Sequence, residues 1–247
     1  MTKAKEIISE LEKTFPNGLR AKWDMTDGLI SGDINNNVKR AIVSLEFREN
    51  FTDKDIDMLI LHHPPIFGSE KSITNPFYKE SKMGKTVIYA IHSRLDKPGV
   101  VSKAIAERLF DSKFELKKVL EDGTSIIELK NPLHIEEIIK IIKEKIKIKY
   151  LNTIINNNTV NRIAIHGGEG FNQHHVDDAM KENIDLYLAG DMTHHLAEHA
   201  HFFNANFIDI GHFSEQEGMR ELTSLLKKKF PEIEFIYKEQ QPLWTIK

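Results

Sequence analysis

RIAIHGGEGFNQHHVDDAMKENIDLYLAGDMTHHLAEHAHFFNANFIDI, residues 162–210, decides the fold. Three short apolar runs stand in it: Arg162–Ile165, Asp185–Ala189 and Asn206–Ile210. Between them lie two stretches with helical spacing, His174–Glu182 and His194–Phe203. Strand-sized apolar runs alternating with helices of about ten residues predict βαβ units and a mainly parallel sheet. The same rhythm runs upstream. Val38–Leu45, Asp57–Leu61, Val87–Ile91 and Ser125–Leu129 read as strands, and Ala4–Phe15 and Val100–Leu109 as helices, with a short helix after Leu45. Downstream, Glu217–Lys229 reads as a helix and Glu234–Tyr237 as a late strand. Lys130-Asn131-Pro132 reads as a boundary, followed by an Ile/Lys/Glu helix from Leu133 to Lys147. The expectation is an α/β protein of two similar three-layer α/β/α lobes, residues 1–130 and 131–247, with the C-terminal strand free to return to the first lobe.

Composition narrows the chemistry. The 247 residues are 40% hydrophobic and 29% charged, with a mean hydropathy of -0.39, a globular profile. No run approaches the ~20 apolar residues of a membrane span. The opening helix is amphipathic and lacks the apolar core of a signal peptide, so the cytoplasm is the expected compartment. Cys is 0, which excludes disulfides, a thiol nucleophile and thiolate metal sites. The formal charge of -3 speaks against nucleic acid as a main partner, because its binders carry a basic excess. The Lys-rich stretch Lys140–Lys149 reads as a solvated helix face.

There are 12 His residues, unevenly placed. Five strands end in polar or His-rich segments. Asp57–Leu61 runs into His62-His63-Pro64-Pro65, and Val87–Ile91 into His92-Ser93-Arg94-Leu95-Asp96. Arg162–Ile165 runs into His166-Gly167-Gly168, Asp185–Ala189 into Gly190-Asp191-Met192-Thr193-His194-His195, and Asn206–Ile210 into Gly211-His212-Phe213-Ser214-Glu215. In open α/β sheets ligands bind beyond the carboxyl ends of strands, so the repetition marks one composite site. Imidazole and carboxylate suit Zn, Mn or Fe. His62, His63, Asp96, His212 and one of Glu215 or Glu217 exceed the three or four ligands of a single ion, and a two-metal centre follows. Such a centre lowers the pKa of a water and stabilises an oxyanion.

Other motifs compete. His195-Leu196-Ala197-Glu198-His199 spells H-x-x-E-H, a zinc peptidase pattern, but the strand-end ligands lie elsewhere. Gly167-Gly168-Glu169-Gly170 offers backbone N–H groups to a phosphate but lacks the Lys of a Walker motif. His174 and His175, beside that loop, are candidates for ligand contact or for a plain helix start. Trp23 is read as core, and His134 as an exposed residue of a first helical turn.

Taken in order, these segments resemble the NIF-three-like family, the GTP cyclohydrolase 1 type 2 homologues. The stretch from Trp23-Asp24 to Gly28-Leu29 resembles its W-D-N-x-G-L segment, Leu61–Pro64 its H-H-P, and IHSRLDKPG at 91–99 its H-[ST]-x-L-D. Ala164–Gly170 resembles its G-G-x-G loop, Ala189–His195 its [TS]-G-[ED]-x-x-x-H, and Gly211–Gly218 its G-H-x-x-[TS]-E-x-x-G. The resemblance implies a NIF-three-like fold, a dinuclear centre of two divalent ions (Zn, Mn or Fe), and a homohexamer. Carried over by position, the metal ligands are His62, His63, Asp96, His212 and a Glu. This chain is one residue short between His212 and Gly218; Glu215 keeps E-x-x-G, with Glu217 as the alternative. The function implied is hydrolase-like, on GTP or another nucleotide or phosphate-bearing compound. The activated water attacks C8 of the purine, and His166 or His195 carries protons as the catalytic residue. A metal-binding scaffold that contacts nucleic acid or a regulatory partner is the alternative.

Overall fold

The computed structural model describes residues 1–24, 27–48, 51, 55–65 and 85–241. Met25 and Thr26, and most of the short helix expected after Leu45, lie outside the described residues. The chain forms two compact units: Met1–Lys97 with Met219–Gln240, and Pro98–Gly218 with Gln241–Lys247.

The first unit opens with helix α1 (Ala4–Thr14), which buries Ala4, Ile7, Ile8 and Leu11 along one stripe, the spacing of a core-facing helix. Its strands are β1 (Gly28–Ser31), β2 (Arg40–Ser44), β3 (Met58–Leu61), β4 (Val87–Ala90) and β11 (Glu234–Lys238), in the order β1-β4-β3-β2-β11. β3 and β4 are buried throughout, as parallel strands covered on both faces must be. β1 runs antiparallel to β4, and β11 is parallel to β2 with Phe235 opposite Ala41. One end of β4 leads into the short helix α2 (Ser93–Asp96).

The second unit contains β5 (Phe114–Val119), β6 (Ser125–His134), β7 (Asn152–Ile154), β8 (Thr159–Ile165), β9 (Leu186–Ala189) and β10 (Asn206–Asp209), in the order β5-β6-β8-β9-β10-β7. Its helices are α3 (Val100–Phe110), α4 (Ile135–Ile146), α5 (Gln173–Met180) and α6 (His194–Phe203); a final helix, α7 (Gln216–Lys229), follows β10. Phe171, Val176, Tyr187, Leu196 and Phe207 share one buried cluster. Among the described residues no helix is long and apolar enough to cross a membrane.

The α/β class and the parallel β8, β9, β10 core follow the reading of residues 162–210. Three findings differ. The second sheet is mixed, with β5, β6 and β7 each joined antiparallel. The units divide at Lys97/Pro98 and not at residue 130, because β6 carries the chain from Ser125 through Asn131-Pro132 to His134. Pro132 sits where the β6–β8 register slips, between Glu128 and Leu133, so its missing N–H interrupts no regular ladder. His134 is the N-cap of α4, its side chain accepting from the Glu136 N–H.

Candidate metal centre

In the first unit, β3 and β4 end side by side and deliver three imidazoles. His62, His63 and His92 are buried, at 0%, 7% and 8% exposure, with ring centroids 4.9–5.3 Å apart. Each ring turns Nδ1 toward oxygen. His62 Nδ1 lies 3.2 Å from the Ile91 carbonyl and donates to it. His92 Nδ1 lies 3.3 Å from Asp24 Oδ2, and His63 Nδ1 3.7 Å from Glu46 Oε1. A histidine that gives its Nδ1 proton to a carbonyl or carboxylate keeps the lone pair at Nε2, the arrangement that orients a metal ligand. His62 Nε2 lies 3.5 Å from Asp96 Oδ1, at the end of α2. These three histidines bring their ligand atoms within 4.8 Å of one another.

The neighbours of His92 are as well defined. Asp24 is 3% exposed and accepts from the Ser93 N–H at 3.1 Å and the Ser93 hydroxyl at 2.7 Å. Burial pushes this carboxyl up, but the bonds from His92 and Ser93 outweigh it and hold it down at about 2. One residue on, Arg94 is 1% exposed. It grips Asp27 with two bonds of 2.7–2.8 Å, the Tyr89 hydroxyl at 2.7 Å, the Phe15 carbonyl at 3.2 Å and Asn17 Oδ1 at 3.1 Å. Arg94 thereby ties the end of β4 to α1 and to the segment entering β1. Trp23, read as core, is 66% exposed; its indole stands edge-on to His92 at 5.3 Å.

In the second unit the ends of β8, β9 and β10 crowd together. Asp209 accepts from the Met192 N–H at 3.0 Å and the Gly211 N–H at 2.8 Å, clamping the two following segments. A Cβ on Gly190 would stand 2.7 Å from the Gly168 carbonyl and from the His212 nitrogen, so only glycine lets the three segments meet. On this platform His212 Nδ1 lies 2.5 Å from Asp191 Oδ2 and Nε2 lies 3.3 Å from Glu215 Oε2. Burial lowers the His212 imidazole, but the two carboxylates prevail and hold it up at about 11. A cation at Nε2 would replace a proton that these carboxylates otherwise retain. Asp191 adopts a left-handed backbone, φ 65, which an Asp tolerates. Glu215 is the carboxylate that meets His212. It also lies over the glycine loop, where a Cβ on Gly168 would come 1.9 Å from its Oε1. A side chain of the protein itself thus rests where a bound phosphate was envisaged.

His166 follows β8 and is 8% exposed. Its ring stacks on His175 at 4.4 Å, with Asp122 beside both. Burial and then the neighbouring His175 push His166 down to about 4, so it is neutral at physiological pH. His195 is exposed on the first turn of α6. Among the described residues His195, Glu198 and His199 form no metal-ligating group; the helix carries them at the surface, where His199 Nδ1 lies 3.3 Å from Gln173 Nε2. Sequence reasoning passed over His92, Asp122 and Asp191 as site residues, met Asp24 only within the segment that resembles W-D-N-x-G-L, and left His175 open between ligand contact and a plain helix start. The signal for His92 and Asp191 was present, since both stand in strand-end segments already singled out. Asp122 had none, because it comes from a loop distant in sequence.

The donor set is nitrogen and oxygen throughout, in buried and half-buried groups whose imidazoles are anchored through Nδ1, which fits divalent metal ions. The pattern of the Duf34/NIF3 (NGG1p interacting factor 3) family matches residues 2–242. A Clostridium perfringens protein named GTP cyclohydrolase 1 type 2 homolog is 26% identical over 96% of this chain and 97% of its own length. A Methanocaldococcus jannaschii protein of the same name is 25% identical, over 87% and 90%. Among solved structures, Staphylococcus aureus protein SA1388 superposes with a TM-score of 0.86 at 21% identity, covering 99% of both chains. Reduced HcgD from Methanocaldococcus jannaschii does so with a TM-score of 0.80 at 26% identity, covering 96% of this chain and 97% of that one.

Proposed function

The chain belongs to the DUF34/NIF3 family, and from that premise we propose that it is a metal-dependent, hydrolase-like enzyme acting on a nucleotide such as GTP. It holds two divalent ions, zinc, manganese or iron, through His62, His63, Asp96, His212 and Glu215. The observation that carries the reading is the anchoring of the histidines. His62 turns Nδ1 to the Ile91 carbonyl, His63 toward Glu46 and His212 to Asp191, which leaves Nε2 as the ligating atom. The name shared by the relatives supports the nucleotide half of the proposal. Bound ions supply Lewis-acid charge for hydrolysis. The chain's own groups divide the remaining work. Asp24, Asp191 and the Ile91 carbonyl fix imidazole orientation, neutral His166 accepts a proton or a hydrogen bond, and His195, exposed at the start of α6, exchanges protons with solvent. The family resemblance also supports a homohexamer, which a solution mass of six chains would bear out.

The test is metal analysis of protein purified without chelator, together with turnover of a nucleotide panel in the presence of Mn, Zn or Fe. Two ions per chain and a metal-dependent product, both lost in His62→Ala and reduced in Glu215→Gln, are expected. A stoichiometry of one or zero after reconstitution refutes the dinuclear reading; metal binding without turnover of any nucleotide refutes the enzymatic one.

A further inference from the structure

An indole left in water forfeits the burial that its large apolar face offers, yet Trp23 is 66% exposed. It does not hang from a loose segment. On one side of it the Ala21 N–H donates to Ser93 Oγ at 2.9 Å. On the other, the buried Asp24 carboxylate accepts from the Ser93 N–H at 3.1 Å and from the Ser93 hydroxyl at 2.7 Å. The Asp24 N–H also donates to the Ala21 carbonyl at 3.1 Å, which closes a tight turn with Trp23 inside it. Both flanks of Trp23 are thus pinned to one serine at the start of α2. The ring is presented on backbone already ordered, so a ligand that meets it need not supply that order.

Its place gives the exposed ring a use. His92 meets the indole in a T at 5.3 Å and 77°, which takes up one edge or one face and leaves another face open. His92 in turn lies 5.1 Å from His62 and 5.3 Å from His63, centroid to centroid. A single imidazole therefore separates Trp23 from two of the histidines assigned to metal, a gap that one nucleoside spans. Arg20 and Lys22, just before the indole, are exposed, and among the described residues neither enters an ion pair. With Arg20, Lys22, Asp24 and His92 as its neighbours, the ring is not part of an apolar patch of the kind that seats a second protein. A flat π surface beside metal ligands and two uncommitted cations matches the parts of a nucleotide: the base for the indole, the phosphates for the cations.

We propose that Trp23 is the platform on which the purine base of the nucleotide stacks, with Arg20 and Lys22 drawing in its phosphates. This assignment rests on the nucleotide reading given above and adds to it the residue that recognises the base. Stacking accepts any flat heteroaromatic ring and holds the larger purine more strongly than a pyrimidine, so Trp23 selects a class of base and not one base.

The chain has 2 Trp, so Trp244→Phe leaves Trp23 as its sole tryptophan. That zinc-loaded full chain is titrated with GTP, CTP and inorganic triphosphate, by fluorescence and by calorimetry. GTP should quench Trp23 saturably, CTP more weakly and triphosphate not at all. Trp23→Ala should weaken GTP binding about 5–150-fold, the loss of one base stack. Trp23→Phe should recover most of it, and Trp23→Leu, apolar but not flat, should not. Affinities for zinc and for triphosphate should be the same in all three. GTP binding that is unmoved by Trp23→Ala, recovered equally by Leu and Phe, or unaccompanied by quenching would overturn the platform and leave the nucleotide reading standing. No GTP binding at all would overturn both. Shielding of Trp23 from acrylamide as protein concentration rises, with no nucleotide present, would assign the ring to a contact between copies and overturn the platform as well.

Discussion

Replacing Gly168 with alanine adds one methyl group, and its effect follows from two dimensions of the loop. Gly168 has φ +63, a conformation that costs an L-residue about 1–2 kcal/mol. Its Cβ would lie 1.9 Å from Glu215 Oε1 and 2.5 Å from Cδ. Ordinary contact begins near 3.4 Å, so the carboxylate has to retreat by about 1.5 Å. The obstacle is the far end of a flexible side chain, so the carboxylate yields and the fold persists. Metal–ligand distances tolerate only about 0.2 Å of error, and a retreat of this size removes Glu215 from its position 3.3 Å from His212 Nε2. Metal affinity should fall about 10–100-fold, the range for a displaced supporting group. The melting temperature should fall by about 2–8 °C, at roughly 2–4 °C per kcal/mol for a chain this long. Affinity is measured by calorimetric titration of zinc into chelator-treated protein, and stability by thermal unfolding. Glu215→Ala in the same chain should relieve the steric part, so that Gly168→Ala costs less stability there than alone. Unchanged zinc affinity in folded Gly168→Ala would refute the assignment of Glu215 as a ligand. A purely additive double mutant would refute the packing argument itself.

The remaining predictions concern the two units separately. Arg94→Ala leaves Asp27 buried without its guanidinium and should cost about 3–5 kcal/mol in urea unfolding; a loss under 1 kcal/mol would mean that Arg94 is not the tie inferred from its five bonds. His166 titrates near 4 in the folded chain against 6.5 unfolded, so the unfolded state binds the extra proton in that window. Its contribution to stability should be complete above about pH 6.5, fall by up to about 3 kcal/mol as the pH drops to 4, and vanish in a folded His166→Gln, read as urea midpoints at pH 7 and 4.5. Asp209→Asn exchanges a charged acceptor of two backbone N–H groups for an amide that can offer them only one good oxygen; it should cost about 1–3 kcal/mol and weaken zinc binding, and unaltered zinc affinity in calorimetry would show that the clamp does not position His212.

How much of this was legible depended on whether a residue's role was local. The strands β3, β4 and β9 are continuous apolar runs, and β8 and β10 carry apolar cores at Ile163–Ile165 and Phe207–Ile208; an apolar run bounded by turn residues finds those. β5 is FELKKV, with its four central residues exposed; such an edge strand holds its place by pairing with β6 and carries no apolar signature. Pro132 marked a boundary in sequence, yet pairing with β8 continues beyond a slip in register, and pairing partners are not encoded nearby. The strand-end histidines announced themselves because every one follows an apolar run. Asp122 did not, since a carboxylate beside a histidine 44 positions away leaves no spacing to detect, and for the same reason Asp24 showed only within the segment resembling W-D-N-x-G-L, with nothing to link it to His92. Trp23 was misread for a related reason: hydrophobicity sets a preference for burial, not the obligation that neighbouring groups impose.

The pairing of β11 with β2 also governs the order in which the chain can fold as it is made. Residues 40–44 leave the ribosome well before their partners at 234–238 are made. At about 5–20 residues per second, the intervening chain takes roughly ten seconds or more to synthesise. Throughout that time β2 presents an unpaired, largely apolar edge, the kind of surface that recruits the wrong strand. All six strands of the second sheet, by contrast, lie between Phe114 and Asp209 and are made before β11. A nascent chain from which the second sheet has emerged but residues 234–238 have not would therefore carry one finished sheet and one open edge, which makes it a natural client for chaperones that cover strand edges until β11 arrives.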